Sequence, residues 1–248
     1  MFIKWRVKKQ FFILFIVFLV FAITVFFVWR SLNAPTCFDG KQNQEETGID
    51  CGGACAECIG EIKDLIVGWS KVIKLENENY EVAGMVENPN LFLGIKSLKY
   101  TFRLYDSNNI LVAVKDGETF VNPGDRFALL ETNINVGRRV PERAYLEFEE
   151  FPQWINIKPE TSSLVILKKY FVNEPFPRLT VEVGNKEFNP VDDISASVAL
   201  YDNDGGVIGV SSTRINSVAG NSSRSVVFTW PKPFSEEPVS NEIFFRVR

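Results

Sequence analysis

Residues 11–29 read FFILFIVFLVFAITVFFVW, a run in which Thr24 is the single polar side chain. The run contains no charged residue, no glycine and no proline. As a helix with a rise of about 1.5 Å per residue it would be roughly 28 Å long, which is close to the thickness of a bilayer hydrocarbon core. Because an isolated segment in lipid must satisfy its own backbone hydrogen bonds, the run predicts a transmembrane helix.

Basic residues lie mostly on one side of this run. Four precede it and one follows it: Lys4, Arg6, Lys8 and Lys9, then Arg30. Since basic residues stay on the cytoplasmic side, we expect residues 1–10 to be cytoplasmic and residues 31–248 to be extracytoplasmic, in a single-pass protein of the cell membrane. A cleaved signal peptide is the alternative. Its apolar core would be shorter, about 7–15 residues, and an A-x-A-like site would follow, so we predict a retained anchor.

The charge and residue composition exclude several classes of function. Residues 1–30 hold five basic residues and no acidic one, so the rest of the chain has 22 basic against 31 acidic residues. An acidic outer part is a poor binder of nucleic acid, whose phosphates require clustered lysine and arginine. The chain contains no histidine, which excludes Ser-His-Asp and Cys-His catalysis and histidine-ligated zinc. We therefore expect no enzyme, although a pair of carboxylates remains chemically possible.

All four cysteines fall within 22 residues, in the pattern C-x13-C-x3-C-x2-C: Cys37, Cys51, Cys55 and Cys58. On the oxidising side of a membrane such a cluster predicts two disulfides, for which three connectivities are possible. The alternative is a metal held by four thiolates, with which the final C-x2-C spacing is compatible. The long first gap and the predicted compartment favour disulfides.

The same segment contains oxygen ligands at Asp39, Asn43, Glu46 and Asp50. Calcium binds six to eight such oxygens on a flexible loop, so these four residues form a possible calcium site. The Asp-x-Asp-x-Asp-Gly pattern of an EF-hand is absent. The alternative is an acidic, solvated turn segment that is held by the disulfides and binds nothing. No other cofactor is predicted.

Short alternating runs fill the remainder of the chain and occur in two copies. Leu98, Tyr100, Phe102 and Leu104 alternate with polar residues, and residues 194–200 repeat that pattern before a second turn. The period of two predicts half-buried strands, and the repeat of about 96–99 residues has the size of a β-sandwich domain. Predicted strands lie near residues 65–75, 80–87, 96–105, 110–114, 127–136 and 144–148, and near residues 164–172, 179–183, 193–201, 207–211, 225–230 and 243–247.

The predicted fold is mainly β, in five consecutive parts. A cytoplasmic segment (1–10) and a transmembrane helix (11–29) precede a short disulfide-rich spacer (30–59). Two tandem immunoglobulin-like β-sandwiches follow (60–159 and 160–248), and their joint is predicted at residues 158–163, where Pro159 lies.

Two resemblances to known families agree with this division. Residues 37–58 match the pattern C-x-D-G-x-x-N-x-x-E-x-x-x-D-C-G-G-x-C-x-x-C, which resembles short modules of bacterial surface and secreted proteins and, more distantly, the calcium-rich thrombospondin type 3 repeats. The resemblance implies a spacer without catalytic residues.

Residues 102–106 read FRLYD, which resembles the FxLYD family of immunoglobulin-like bacterial domains; the second copy has Val198 in place of Phe102. This resemblance implies that Tyr105 and Asp106 pack and cap a hairpin.

These observations predict a membrane-anchored, extracytoplasmic binding or structural protein of the cell envelope, acting in adhesion, envelope architecture or assembly with a partner. The expected partners are the lipid bilayer, through residues 11–29, and an envelope protein or glycan that the sequence does not identify. No nucleic acid is expected. The alternatives are an accessory subunit of a membrane complex and a carboxylate-based enzyme that acts on glycans.

Overall fold

A computed structural model describes residues 3–32, 36–43, 45–46, 49–55, 62–75, 79–158 and 163–248. The chain divides into two compact units, Met1–Glu61 and Ile62–Arg248, and each is treated by itself. The predicted joint at residues 158–163 lies mostly outside the described residues, as does Cys58.

The first unit begins with one long helix, α1, at Ile3–Leu32. It contains the predicted run, and the stretch Gln10–Trp29 is long and apolar enough to cross a membrane. Every side chain of this stretch is exposed. The Thr24 hydroxyl donates a hydrogen bond to the carbonyl of Val20 at 2.7 Å, so the one polar side chain of the run is satisfied within the helix.

The second unit begins with seven strands that form two facing antiparallel sheets, the first sandwich. One sheet has the order β1-β2-β5 and the other the order β4-β3-β6, with the short β7 paired to the start of β3. The strands are β1 (Ile66–Lys74), β2 (Tyr80–Glu87), β3 (Leu93–Tyr105), β4 (Leu111–Val121), β5 (Arg126–Ile134), β6 (Arg143–Phe148) and β7 (Trp154–Asn156).

Six further strands repeat this arrangement in the second sandwich. Its sheets have the orders β12-β9-β8 and β11-β10-β13, which match the first sandwich strand for strand except that β7 has no counterpart. The mainly β fold with a repeated sandwich is therefore as predicted. The strands are β8 (Leu164–Val172), β9 (Arg178–Asn185), β10 (Val191–Tyr201), β11 (Val207–Val218), β12 (Ser223–Thr229) and β13 (Ser240–Val247).

The predicted inner faces of the central strands are buried. Phe102, Leu104 and the rest of that face pack in one core with Phe127, while Ile194, Val198 and Leu200 pack in a second core. Successive side chains of a strand point to opposite faces of its sheet, so an alternating sequence places all its apolar side chains on one face. Burial of that face is favourable because it removes apolar surface from water.

Two strands, β4 and β11, continue 7 residues beyond their predicted ends, and β7 was not predicted at all. β4 continues to Val121 through Lys115, Asp116 and Gly117, which look like a turn in the sequence. The edge position of β4 exposes these charged side chains, and a Cβ at Gly117 would overlap the ring of Tyr100. Position 117 therefore requires glycine for close packing against β3. β11 likewise continues to Val218 through polar residues on a sheet edge.

A third apolar cluster joins the two sandwiches. It contains Ala83 and Met85 on β2, Ala199 on β10, and Val207 and Val210 on β11, together with Ala128 on β5. These residues lie on the outer faces of sheet β1-β2-β5 and sheet β11-β10-β13, so the two sheets pack against each other. The two sandwiches consequently form one compact unit with a shared buried junction.

Candidate functional site

The cysteine segment is closed by a disulfide between Cys37 and Cys55, whose Cα atoms are 5.5 Å apart. Cys51 is also disulfide-bonded. The predicted disulfides are therefore confirmed for these three cysteines, while Cys58 lies outside the described residues. Gly52 and Gly53 both have positive φ angles, which allows the tight path of the chain between Cys51 and Cys55.

The four predicted calcium-binding residues lie in this segment, and its backbone already engages the oxygens of three of them. The Asp50 carboxylate accepts N–H bonds from Asp39 at 2.9 Å and from Gly40 at 3.0 Å. The Asp39 carboxylate accepts from the Asn43 amide at 3.0 Å and from the Thr36 N–H at 3.2 Å, and these bonds lower the pKa of Asp39. The carboxylates thus order the loop through its own N–H groups.

Glu46 is the buried member of this group. Its Oε2 accepts the N–H of Asn43 at 3.0 Å and that of Asp50 at 3.2 Å. Its Oε1 lies 3.1 Å from the sulfur of Cys55, which carries no proton because it is part of the disulfide. The Oδ1 of Asn43 is buried and has no hydrogen-bond partner among the described residues of the segment. Two acceptor oxygens of this segment therefore lack a donor within the described part of the chain.

A cluster of possible metal ligands occurs in the same place. One ligand atom from each of Cys37, Glu46 and Cys55 lies within 4.8 Å of the other two. The sulfurs of Cys37 and Cys55 are joined to each other, so they cannot act as thiolate ligands and the four-thiolate alternative is excluded. Calcium on Asp39, Asn43, Glu46 and Asp50 remains a prediction.

The aspartates of the repeated LYD sequence cap turns. The Oδ1 of Asp106 accepts the N–H groups of Asn108 at 3.0 Å and Ile110 at 2.9 Å. The Oδ1 of Asp202 accepts those of Asp204 at 3.0 Å and Gly206 at 2.7 Å. The two turns therefore use the same pair of hydrogen bonds. Asp106 has the capping role that the resemblance implied, and Asp202 has the same role in the second copy.

The tyrosines of this sequence are also structural. The ring of Tyr105 packs edge to face on Tyr145, with centroids 5.6 Å apart. The Tyr201 hydroxyl donates to Glu242 at 2.7 Å. Burial, reinforced by this hydrogen bond, raises the pKa of Tyr201 to about 12, so the phenol stays neutral at physiological pH.

A cleft opens where the two sandwiches meet, and sequence reasoning did not find it. Its volume is about 510 Å³, and its walls are residues 71–75 of the β1 hairpin, residues 208–210 of β11 and residues 230–236. Trp230 and Phe234 form an aromatic pair there, with centroids 5.6 Å apart. Glu81 also lines the cleft, and burial raises its pKa. Trp230 is buried in the second core, whereas Phe234 is only partly buried, so the cleft offers the ring of Phe234 beside a half-buried carboxyl.

A buried arginine lies at the opposite part of the junction and was also missed. Arg246 on β13 is 7% exposed, and its Nε is 3.1 Å from Asp125 of the first sandwich. Arg246 is buried only because two distant parts of the chain come into contact around it. The periodicity of the sequence therefore does not distinguish Arg246 from an ordinary surface arginine. No family model matches this chain, and no curated protein is similar to it.

Proposed function

We propose that this chain is a membrane-anchored, extracytoplasmic binding or structural protein of the cell envelope. The observation that carries the proposal is the exposure of every side chain along Gln10–Trp29 in α1. A helix that is apolar on all faces over this length has a lower free energy in hydrocarbon than in water. The lipid bilayer is therefore the first partner.

The basic flank supports the orientation that we propose. Four basic residues precede the apolar stretch and one follows it, which favours a cytoplasmic N-terminus and an extracytoplasmic β unit. A disulfide at Cys37–Cys55 supports the same side, because disulfides persist in oxidising compartments.

The architecture of the β unit favours binding over catalysis. The residues shared by its two copies, such as Asp106 and Asp202, hold turns. We propose that the cleft beside Trp230 and Phe234 receives an envelope protein or glycan, because it combines aromatic surface with Lys71, Lys74 and Glu81. We also propose that the two sandwiches are related to FxLYD domains, on the resemblance of residues 102–106.

Protease treatment of intact spheroplasts tests the anchor and its orientation together. We expect external protease to remove the β unit and to leave a short membrane-bound fragment that contains α1. Lysed spheroplasts serve as the control, in which the cytoplasmic segment also becomes accessible. Full protection of the β unit in intact spheroplasts would overturn the proposed topology, and release of the β unit without the apolar segment, in the absence of added protease, would indicate a cleaved signal peptide.

The two alternative functions differ in what they require of the chain. An accessory subunit that binds through α1 would still co-purify with its complex after deletion of residues 60–248. A glycan-acting enzyme would cleave cell-wall glycan and would lose that activity when one carboxylate of the cleft, such as Glu81, is changed to Gln.

A pull-down with the complete outer part of the chain, compared with a Phe234→Asp variant, tests the cleft as the binding surface.

A further inference from the structure

The chain enters the β unit at one particular end. The backbone N–H of Lys63 donates to the Oδ1 of Asn90 at 3.1 Å, and the Nδ2 of Asn90 donates to the carbonyl of Lys63 at 2.7 Å. Asn90 is buried and lies in the loop between β2 and β3. The segment that arrives from α1 is therefore attached to the β2–β3 end of the first sandwich.

The corresponding loop of the second sandwich lies at the same end. Asn88 Nδ2 donates to the carbonyl of Asn122 at 2.9 Å, and Asn122 Nδ2 donates in turn to the carbonyl of Val247 at 3.0 Å. Val247 pairs with Ile194, near the start of β10. Since β10 follows directly on the loop of residues 186–190, that loop and residues 88–92 occupy the same end of the unit.

Both loops hold large apolar side chains in solvent. Leu91 is 65% exposed and Phe188 is 88% exposed, and Phe92 is also exposed. The loops themselves are held in place: Gly124 N–H donates to the Asn90 carbonyl at 2.9 Å, and Asn221 N–H donates to the Glu187 carbonyl at 2.8 Å. Apolar side chains presented on ordered loops form a surface that is unfavourable in water and favourable in the interfacial layer of a bilayer.

The connection to the helix is short because of the disulfide. The path from Leu32 to Cys37, across the bridge and on from Cys55 to Ile62 contains about 12 residues, which span at most roughly 40 Å when extended. The bridge itself adds 5.5 Å between Cα atoms. With the proposed anchor in the bilayer, a tether of this length limits how far the attached end of the β unit can lie from the membrane surface, and so raises the effective concentration of that end there.

We propose that the β2–β3 and β9–β10 loops contact the surface of the bilayer that holds α1, with Leu91, Phe92 and Phe188 in its interfacial layer. This inference rests on the proposed membrane anchor. Exposure alone does not identify the surface, because Phe176 at the opposite end of the second sandwich is 72% exposed. The position of the attached chain favours the β2–β3 end, because the tether begins there. β9 separates Phe176 from Phe188, and its eight residues span about 26 Å at roughly 3.3 Å each.

The experiment uses the full chain in nanodiscs made of phosphatidylcholine and phosphatidylglycerol. Three single variants, Phe188→Cys, Phe176→Cys and Thr24→Cys, each carry a nitroxide label, and electron paramagnetic resonance measures its accessibility to oxygen and to a water-soluble nickel chelate. Phe188 and Phe176 are exposed side chains on loops of the same sandwich, so they form a matched pair. The label at position 24 reports whether α1 is in lipid.

The expected result is a ratio of oxygen to nickel accessibility that is several-fold higher at position 188 than at position 176, and highest at position 24. Equal ratios at positions 188 and 176, with position 24 in lipid, would overturn the loop contact and leave the anchor intact. A water-exposed label at position 24 would overturn both the anchor and this inference.

Discussion

The guanidinium carbon of Arg246 lies 3.6 Å from the ring centroid of Phe127, and the two residues belong to different sandwiches. The same guanidinium lies 4.1 Å from the Phe120 ring centroid and is paired with Asp125. Burial lowers the pKa of Arg246, and the Asp125 carboxylate opposes that effect. A charge that is removed from water here is stable only because an anion and two aromatic faces of the first sandwich surround it.

Replacing Arg246 should therefore destabilise the β unit strongly. We expect Arg246→Ala to lower the free energy of unfolding by roughly 3–5 kcal/mol, because the partly buried Asp125 carboxylate would lose its partner. Urea denaturation measures this change. Arg214→Ala is the control, since Arg214 is 73% exposed and its contact with Asp193 is 3.7 Å, and an exposed pair contributes about 0–1 kcal/mol. Equal effects of the two substitutions would contradict the role of Arg246 at the junction.

The shared junction predicts that the two sandwiches unfold together. Ala199 is fully buried between them, so Ala199→Lys should overfill the junction and separate one thermal transition into two. Val227→Lys on an exposed face of β12 is the matched control and should keep a single transition. Differential scanning calorimetry distinguishes the outcomes, and two transitions already in the unmodified protein would show that the sandwiches are energetically independent.

Reduction should act on the cysteine segment alone. With two disulfides, the intact mass of the chain should be about 4 Da below that of the reduced protein, two hydrogens per bridge. All four cysteines precede Ile62, so reduction should make residues 36–55 more sensitive to protease while the melting temperature of the β unit stays unchanged. A lower melting temperature after reduction would mean that the segment stabilises the sandwiches.

The turn at Asp106 should make stability depend on pH. Hydrogen bonds from Ile110 N–H, and then the contact with Arg139 at 2.6 Å, lower the pKa of Asp106 below its value in the unfolded chain. Its contribution is therefore complete above the unfolded pKa of about 3.9 and is lost as the pH falls through the lower folded pKa. Asp106→Asn should remove that part of the acid dependence in unfolding measured between neutral pH and pH 3. An unchanged dependence would exclude Asp106 as its source.

Calcium binding has a specific structural requirement. Among the residues that the structure describes, none donates to the buried Oδ1 of Asn43, so an ion in the segment should use this oxygen as a ligand. Calorimetric titration of the full chain with Ca²⁺ should then show binding that is lost in Asn43→Ala and kept in Gln42→Ala, whose side chain is exposed. Absence of binding heat in the unmodified protein would remove the calcium hypothesis.

The helix and nearly all the strands could be predicted from the sequence because both depend on local patterns. A charge-free run longer than 18 residues predicts a helix such as α1, because in lipid a single segment can pair all its backbone groups only as a helix. The alternation around Phe102 predicts a strand with one buried face. The disulfides followed from the spacing and predicted compartment of the cysteines. The second half of β4 was missed, because the role of Gly117 depends on the Tyr100 ring that packs against it. β7 was missed because a run of 3 residues is too short to show the period of a strand.

The tertiary structure alone decided how the two sandwiches meet and where the cleft between them lies. Ala83 and Ala199 are small outward-facing residues in the sequence, and only the packing of one sheet on the other buries them. Arg246 and Phe127 are more than 100 residues apart, as are the β1 and β12–β13 segments that form the cleft. Strand periodicity reports which face of a strand is apolar, whereas the partner of that face depends on the free energy of contacts between distant segments, which no local pattern contains.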